Sequence, residues 1–506
     1  MKTAETKIIK ETFQEIADIV TPTMGAKGRM AVINDEFGRP ILTDDGVTVA
    51  KECLNMEGFK RMIAIAMVEA ASNTEKVAYD GTTLTVLLTN ELYKLGCQWV
   101  KHGMHPQHAA DKLLSLVSLA RKELKNTSIK ANEERIKNLA TITTKIPLIG
   151  DLVADAYKKA GDAMNVVIEH DRENTEHSIE HIKGMSLDAG YFTKELGQLC
   201  NDGDKTVFEN AKLVLLAEGQ MTQLDLTNFF RGVPADDINK PFVFFITPNF
   251  NPESMKMLLD TMIQNKILFQ LVFLNESDPQ EIFLDIAAKT DGVIQSSALG
   301  TSEYTYGCCG EAKKIVIEQD KTVIITGEDK ANHKVKDRIA AYKKELKSKK
   351  YTMGFIREAQ ITRRLANLTQ GITKIKIATP TITEFMTIKL KLDDAIGAVK
   401  CAIADGLVLG GGKALYNISR NIPELSAVLR APLETIVANS GIKLNKKFKR
   451  LLLEHFLMGI DVKTGEVVTL PDAGILDSFK SIDSALLNAV SIAANYLRGY
   501  ILIRKD

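Results

Sequence analysis

Asp80-Gly81-Thr82-Thr83-Leu84-Thr85-Val86-Leu87-Leu88 joins a carboxylate, a glycine and two hydroxyls to the start of a long apolar segment. Apolar residues recur every three or four positions from Phe59 to Leu95, which predicts helix on both sides of a turn at Gly81. The first N–H groups of a helix have no partner inside it, and together with the helix dipole they favour an anion such as phosphate. An aspartate beside them is placed to carry Mg2+, which takes one or two carboxylates and completes its shell with phosphate oxygens and water. Read alone, the stretch is equally satisfied by an aspartate or threonine that caps a helix.

Other short signatures flank it. Thr23-Met24-Gly25-Ala26-Lys27-Gly28-Arg29 carries two glycines that let backbone N–H groups close on an anion. Thr43-Asp44-Asp45-Gly46-Val47-Thr48-Val49-Ala50 sets two carboxylates at a turn, a common use of Asp-Asp-Gly. Far downstream lie Leu392-Asp393-Asp394-Ala395 and Gly410-Gly411-Gly412, three glycines that permit close approach of backbone to a ligand. Gly412-Lys413-Ala414 is not the end of a Walker A loop, because Leu407 stands where its first glycine belongs and Ala414 lacks the metal-binding hydroxyl. Gly459-Ile460-Asp461 and Ala473-Gly474-Ile475-Leu476-Asp477 add two more turn-placed acids.

The bulk of the chain sets the frame for these signatures. Its 506 residues suit about three domains of ordinary size. With 65 basic and 64 acidic residues the net charge is +1, so no overall field selects nucleic acid or an anionic membrane as a partner. The first twenty residues alternate charged and apolar positions at helical spacing, unlike a secretion signal. No apolar run approaches the ~18 residues that span a bilayer, and the expected location is the cytoplasm. The 6 cysteines form no CxxC pair, and Tyr306-Gly307-Cys308-Cys309-Gly310 reads as a tight turn rather than a redox device. Residues 1 to about 126 and the last hundred read as helix, with a hairpin at Asp461 to Glu466. Between Val166 and about Ile325 short β-rich runs alternate with helical segments, which predicts an α/β domain, and Lys334 to Lys350 reads as a solvated helix.

The motifs TxGxKGR, TxDGVTVAKE, DGTT, DDA with GGG, and GILD follow one another in the order seen in GroEL-like group I chaperonins, and the chain resembles a divergent member of that family over nearly its full length. The resemblance implies a multidomain α and α/β fold. A helical equatorial ATPase domain would comprise 1–126 and 405–506, a small intermediate hinge domain 127–183 and 373–404, and an α/β apical domain 184–372. By the same resemblance Thr23, Met24, Gly25 and Ala26 wrap the phosphates of ATP, Asp80 ligates Mg2+, and Gly81, Thr82, Thr83 and Leu84 continue the cradle. Asp44 and Gly46 lie in the second phosphate-side loop, and Gly411, Asp461, Val462, Lys463 and Asp477 line the base and ribose. Asp394 is the acid that positions or activates the attacking water, with Asp45 facing it. The family usually has lysine before that aspartate; Asp44 reverses the charge and bears on whether K+ is a further cofactor.

The implied activity is ATP hydrolysis that drives folding of non-native polypeptides in a homo-oligomeric ring. The ring would hold seven subunits, as one ring or two, with a cochaperonin as a further partner, in the cytosol of a bacterium or of an infected host. An apical groove would use Tyr191, Leu196, Leu226, Phe229, Phe230, Met255, Leu258, Leu259 and Met262, although helical spacing equally fits core packing. A chaperonin-derived scaffold with weak or no ATPase is the alternative. His177-Ser178-Ile179-Glu180-His181 matches an HxxEH zinc pattern, and His102, His105 and His108 fall three apart, which would be metal sites only if each lay on a helix with a further ligand.

Overall fold

The computed structural model describes residues 4–34, 40–161, 164–172, 174–191, 200–201, 205–217, 221–247, 250–274, 278–295, 304–326, 333–348, 355–369 and 371–499. The chain divides into two compact units, Met1–Asp155 with Thr383–Asp506, and Ala156–Ile382. The first begins with helix α1 (Ala4–Val20), the hairpin β1 (Ala31–Asn34) and β2 (Pro40–Thr43), and α2 (Gly46–Glu52). It continues with α3 (Gly58–Ala78), α4 (Thr82–Lys101), α5 (Pro106–Asn126), α6 (Glu133–Thr144) and α7 (Pro147–Ala160). The turn expected at Gly81 is made by two left-handed residues, Tyr79 at φ +57° and Gly81 at φ +91°, which stop α3 and start α4. Pro106 opens α5, and His105 caps it by accepting the Gln107 N–H at 3.3 Å. His102 is taken up by the Gln98 carbonyl at 2.7 Å. His102 and His105 therefore serve helix ends.

The second unit contains β3 (Val166–Asp171), β4 (Ser178–Ile182), β5 (Gly184–Leu187), β6 (Thr206–Leu216), α8 (Gln223–Arg231), β7 (Phe242–Ile246), α9 (Pro252–Gln264) and β8 (Phe269–Phe273). After these come α10 (Pro279–Thr290), β9 (Ile294–Gln295), β10 (Gly310–Ile317), β11 (Thr322–Ile325), α11 (His333–Ser348), α12 (Phe355–Thr369) and β12 (Ile372–Ala378). A seven-stranded sheet runs β5-β11-β10-β6-β7-β8, with β9 also on β6. Strands β6, β7 and β8 are parallel, as their helical crossovers require, and both faces are covered. Alternate residues accordingly enter different cores. Leu213, Leu215, Val243 and Phe245 pack with Phe283 and Ile286 of α10. Val214, Leu216, Phe242 and Phe244 pack with Leu226 and Phe229 of α8 and Leu258 and Met262 of α9.

That packing corrects four of the expected groove residues. Leu226, Phe229, Leu258 and Met262 are at most 1% exposed and form the core beneath the sheet, because each helix must bury its apolar stripe there. Phe230, Met255, Leu259 and Tyr191 are half-buried against the same core, and Leu196 lies outside the described residues. The apolar side chains that α8 and α9 present to solvent are Leu224 and Ile263.

The HxxEH stretch falls on strand β4, not on a helix. Residues four apart on a strand are separated by about 13 Å, so the two histidines cannot share a zinc ion. His177 instead accepts the Ala378 N–H at 3.1 Å, and His181 lies 3.5 Å from the Thr373 hydroxyl. Elemental analysis of the purified protein is expected to find no stoichiometric zinc; one zinc per chain would contradict this placement. The lysine-rich helix α11 is not purely a solvated surface: Arg338 bonds Asp285 at 3.0 Å, and Tyr342 is 2% exposed beside them. Cys308 ends a single helical turn at Tyr306–Cys308, and its thiol and that of Cys309 are free.

The chain then returns to the first unit with α13 (Ile382–Asp405), β13 (Leu407–Leu409), α14 (Lys413–Ile418), α15 (Ser426–Asn439) and α16 (Lys446–Glu454). The hairpin β14 (Met458–Asp461) and β15 (Glu466–Thr469) has the expected turn, with Asp461 opposite Glu466. Strand β16 (Leu476–Ser478) and helix α17 (Phe479–Arg498) complete it. Helix α17 packs against α3, α4 and α5, so a C-terminal helix sits among N-terminal ones. Gly96 makes this possible, since a Cβ there would lie 2.2 Å from Leu497. Phe13 wedges edge-on between Tyr93 at 4.9 Å and Tyr496 at 5.4 Å. Among the described residues no helix is long and apolar enough to cross a membrane.

Candidate functional site

The Thr23–Arg29 loop folds back on itself, with Gly28 N–H on the Gly25 carbonyl at 3.0 Å and Arg29 N–H on the Pro22 carbonyl at 2.8 Å. Gly25 holds φ +91°, and any Cβ there would come within 2.9 Å of Ile436 on α15. From the same helix Asn439 donates to the carbonyls of Thr21 at 2.9 Å and Met24 at 3.0 Å. A loop near the N-terminus is thus held in shape by a helix more than four hundred residues later. Asn439 gave no signal in the sequence, because an asparagine at a helix end has many ordinary uses. Thr23 is buried, Met24 and Gly25 are half-buried, and Ala26 is exposed.

The second and third motifs meet at a single glycine. Asp45 caps α2 by accepting the N–H groups of Val47 at 3.3 Å and Thr48 at 2.8 Å. Gly46 then lies so close to α4 that a Cβ would sit 2.2 Å from the Thr83 hydroxyl. Thr83 also approaches Thr23, hydroxyl to hydroxyl, at 3.3 Å, which ties the first motif to the same point. Gly81, as the N-cap residue of α4, offers no side-chain oxygen, so no cap side chain takes up the N–H groups of the first turn, Thr82, Thr83 and Leu84. Asp80 accepts the Gly81 N–H at 2.6 Å through Oδ1, leaving Oδ2 as the candidate metal ligand.

Carboxylates from three other elements gather at this helix start. Asp477 lies on β16 opposite Val408 of β13. Burial and the charge of Asp80 push its carboxyl up to about 7, against the Gly411 N–H that bonds it. Asp394 lies on α13, where Gly397 would place a Cβ 2.2 Å from the Tyr79 ring; the missing side chain lets α13 cross over the α3–α4 turn. Its carboxyl reaches solvent, yet the surrounding protein, followed by Glu75, Asp45, Asp393 and Asp80, pushes it up to about 7. Glu75, on α3, is raised by burial and by Asp45, with Lys51 and Lys76 working against them. It was not anticipated, since a glutamate inside a helix carries no turn signal. Asp80 is raised by burial, partly offset by the Gly81 N–H and by Lys145. Clustered carboxylates that raise one another are a site that gains from a cation. Among the described residues no three His, Cys, Asp or Glu side chains form a metal cage by themselves. One carboxylate completed by phosphate oxygens is the arrangement Mg2+ prefers.

The model of the TCP-1/cpn60 chaperonin family matches residues 16–224 and 255–503. The chain belongs to that family. A solved chaperonin, gp146 from the bacteriophage EL 2 (Pseudomonas aeruginosa), crystallised in the presence of ATP-BeFx, is similar over 99% of this chain and 98% of that one. The identity is 18% and the TM-score 0.76. Its other crystal form gives 17% and 0.71 over the same shares. The family resemblance and the multidomain α and α/β fold expected from sequence are therefore those of a divergent chaperonin, and they support a chaperone role in protein folding.

Within this chaperonin the structure brings Thr23 to Ala26, Asp45, Gly46, Asp80 to Leu84, Asp394, Gly411 and Asp477 to one region, in the contacts given above. Asp461, Val462 and Lys463 reach it less directly. Val462 packs with Tyr416, Leu433 and Val437, and Ile436 packs on that same cluster as well as over Gly25. Asp461 accepts the Lys463 N–H at 2.8 Å, shaping its own hairpin turn. Asp44 lies half-buried with Lys145, whose amine is 2.6 Å from its carboxylate.

Proposed function

We propose that this chaperonin is an ATP-dependent folding machine that binds non-native polypeptides and releases them under the drive of Mg-ATP hydrolysis. The observation that carries the reading is the uncapped start of α4, with the Thr23 hydroxyl and Gly46 closing on it and Asp80, Asp394 and Asp477 crowded around it. The similar phage chaperonin was crystallised in the presence of ATP-BeFx, which supports a nucleotide ligand here.

In this reading the N–H groups of Thr82, Thr83 and Leu84 and the Thr23–Ala26 loop hold phosphates, and Asp80 holds Mg2+. When bound, the metal supplies charge neutralisation at the phosphate oxygens. Asp394 orients a water and takes its proton, a role suited to a carboxyl whose affinity for protons is raised to near neutrality. Residues 127–183 with 373–404 serve as the hinge and 184–372 as the apical domain, and the working form is a ring of seven copies, in one ring or two, in the cytoplasm.

Purified protein incubated with ATP is expected to release phosphate in a Mg2+-dependent way, with EDTA abolishing the release, and to show rings in particle images. Folded rings that release no phosphate would overturn the ATPase part and leave the scaffold reading.

A further inference from the structure

We propose that Lys145 is the phosphate-binding cation of this site and that Asp44 is the residue that holds it there when no nucleotide is bound. The inference rests on the nucleotide reading above. Lys145 follows α6 in the left-handed region, at φ +60°, so its side chain departs from the helix surface instead of continuing it. The amine ends 2.6 Å from Asp44 Oδ2, with the lysine side chain 36% and the aspartate 23% exposed, a partly desolvated pair rather than a loose surface one.

The loop it reaches is the one that enters the site. Asp44 precedes Asp45, the cap of α2, and Gly46, the residue pressed against the Thr82 and Thr83 hydroxyls. Bound to Asp44, the amine therefore sits two residues along the chain from Gly46, the glycine that touches the open start of α4. Its base is fixed on the other side: a Cβ at Gly474 would meet the Asn138 side chain of α6 at 2.5 Å, so α6 lies tightly against the segment that leads into Asp477.

The other charges nearby do not fill this place. Lys391 faces Asp44, and Lys51 and Lys76 face Glu75. The acidic groups facing the region are Asp44, Asp45, Glu75, Asp80, Asp393, Asp394 and Asp477, which leaves an incoming polyphosphate short of positive charge even with one Mg2+. An ammonium shared with a single carboxylate can transfer its hydrogen bonds to a terminal phosphate oxygen, a charge-assisted contact of the strong kind. The charge reversal at Asp44 is then not a loss of a cation from the site but a relocation of it, from the loop to the end of α6.

The test measures binding of Mg2+ with a β,γ-imido ATP analogue, and of ADP, to full-length wild type, Lys145→Gln, Lys145→Arg and Asp44→Asn. Thermal melts without nucleotide check folding. Lys145→Gln is expected to weaken the analogue about 10- to 100-fold, the worth of one hydrogen bond to a charged group, and to weaken ADP much less. Lys145→Arg should stay within a few-fold of wild type. Asp44→Asn should bind the analogue as tightly as wild type or more so, since it frees the lysine. A folded Lys145→Gln that binds both nucleotides normally, or an Asp44→Asn that binds tenfold more weakly, overturns the proposal. Wild type that binds neither nucleotide overturns the nucleotide reading itself.

Discussion

Replacing Asp394 with asparagine is expected to lower ATP turnover by about 100-fold or more while nucleotide still binds, the range ordinarily lost with a general base. The substitution keeps the shape of the side chain and removes only its capacity to take a proton. Three features of the site make the residue suited to that role. It rides on α13, which Gly397 allows to cross directly over the Tyr79 ring. It stands in the field of Asp45, Glu75, Asp80 and Asp393, and its carboxyl is pushed up to about 7 by the surrounding protein and then by those charges. It also keeps contact with solvent, from which the attacking water must come. Turnover of the wild type should therefore climb between about pH 6 and pH 8, as the carboxyl deprotonates, and the residual activity of the asparagine variant should lack that rise.

The same shift predicts an effect on stability of opposite sign. An ordinary aspartate loses its proton near 3.8, whereas the folded protein keeps the Asp394 proton up to about 7. Between those values the folded state binds more protons than the unfolded one, so the contribution to stability falls as pH rises through the window. Asparagine cannot ionise. The variant is expected to match wild type near pH 4 and to be the more stable of the two at pH 8. Melting curves at the two pH values check it. An asparagine variant with normal turnover would remove Asp394 from the chemistry.

How much of this was legible in the sequence depends on the range over which each feature is decided. The turn at Gly81 and the uncapped helix after it are local, since glycine at φ +91° with an apolar run behind it needs no distant partner. The α/β domain was legible for a related reason: Phe242 to Ile246 is apolar at every position, as a strand buried on both faces must be. Helical spacing alone could not say which way α8 and α9 face. Leu226 and Met262 went into the core, and only the sheet beneath them decided it. Glu75, Asn439 and Lys145 were missed because each acts through a contact made far away in the chain. Lys145 meets Asp44 across 101 residues, and Asn439 reaches Thr21 across 418. The charge reversal at Asp44 was visible in the sequence, but its partner was not.

Gly46 offers the second large effect, because two rules predict opposite signs for its replacement by alanine. Gly46 is the first residue of α2, and at a helical position alanine is favoured over glycine by about 1 kcal/mol. Propensity alone would make Gly46→Ala stabilising. Packing says otherwise. The new methyl would lie 2.2 Å from the Thr83 hydroxyl, 2.7 Å from the Thr82 hydroxyl and 3.0 Å from the Thr83 nitrogen. A hydroxyl can rotate away, but the nitrogen belongs to the first turn of α4, and Thr83 is also engaged with Thr23 at 3.3 Å. The loop must therefore move off the start of α4. Overpacking of this kind costs about 1–3 kcal/mol, which outweighs the gain in propensity. Since the first turn of α4 carries the N–H groups assigned to phosphate, nucleotide affinity should fall about tenfold or more with it. Removing the crowding hydroxyl in the double variant Gly46→Ala with Thr83→Ala is expected to return part of the lost stability, a coupling that independent sites would not display. Melting temperatures and nucleotide titrations of wild type, both single variants and the double variant measure the cycle. A Gly46→Ala protein as stable as wild type, with unchanged affinity, would mean that the second and third motifs are not pressed together at this glycine.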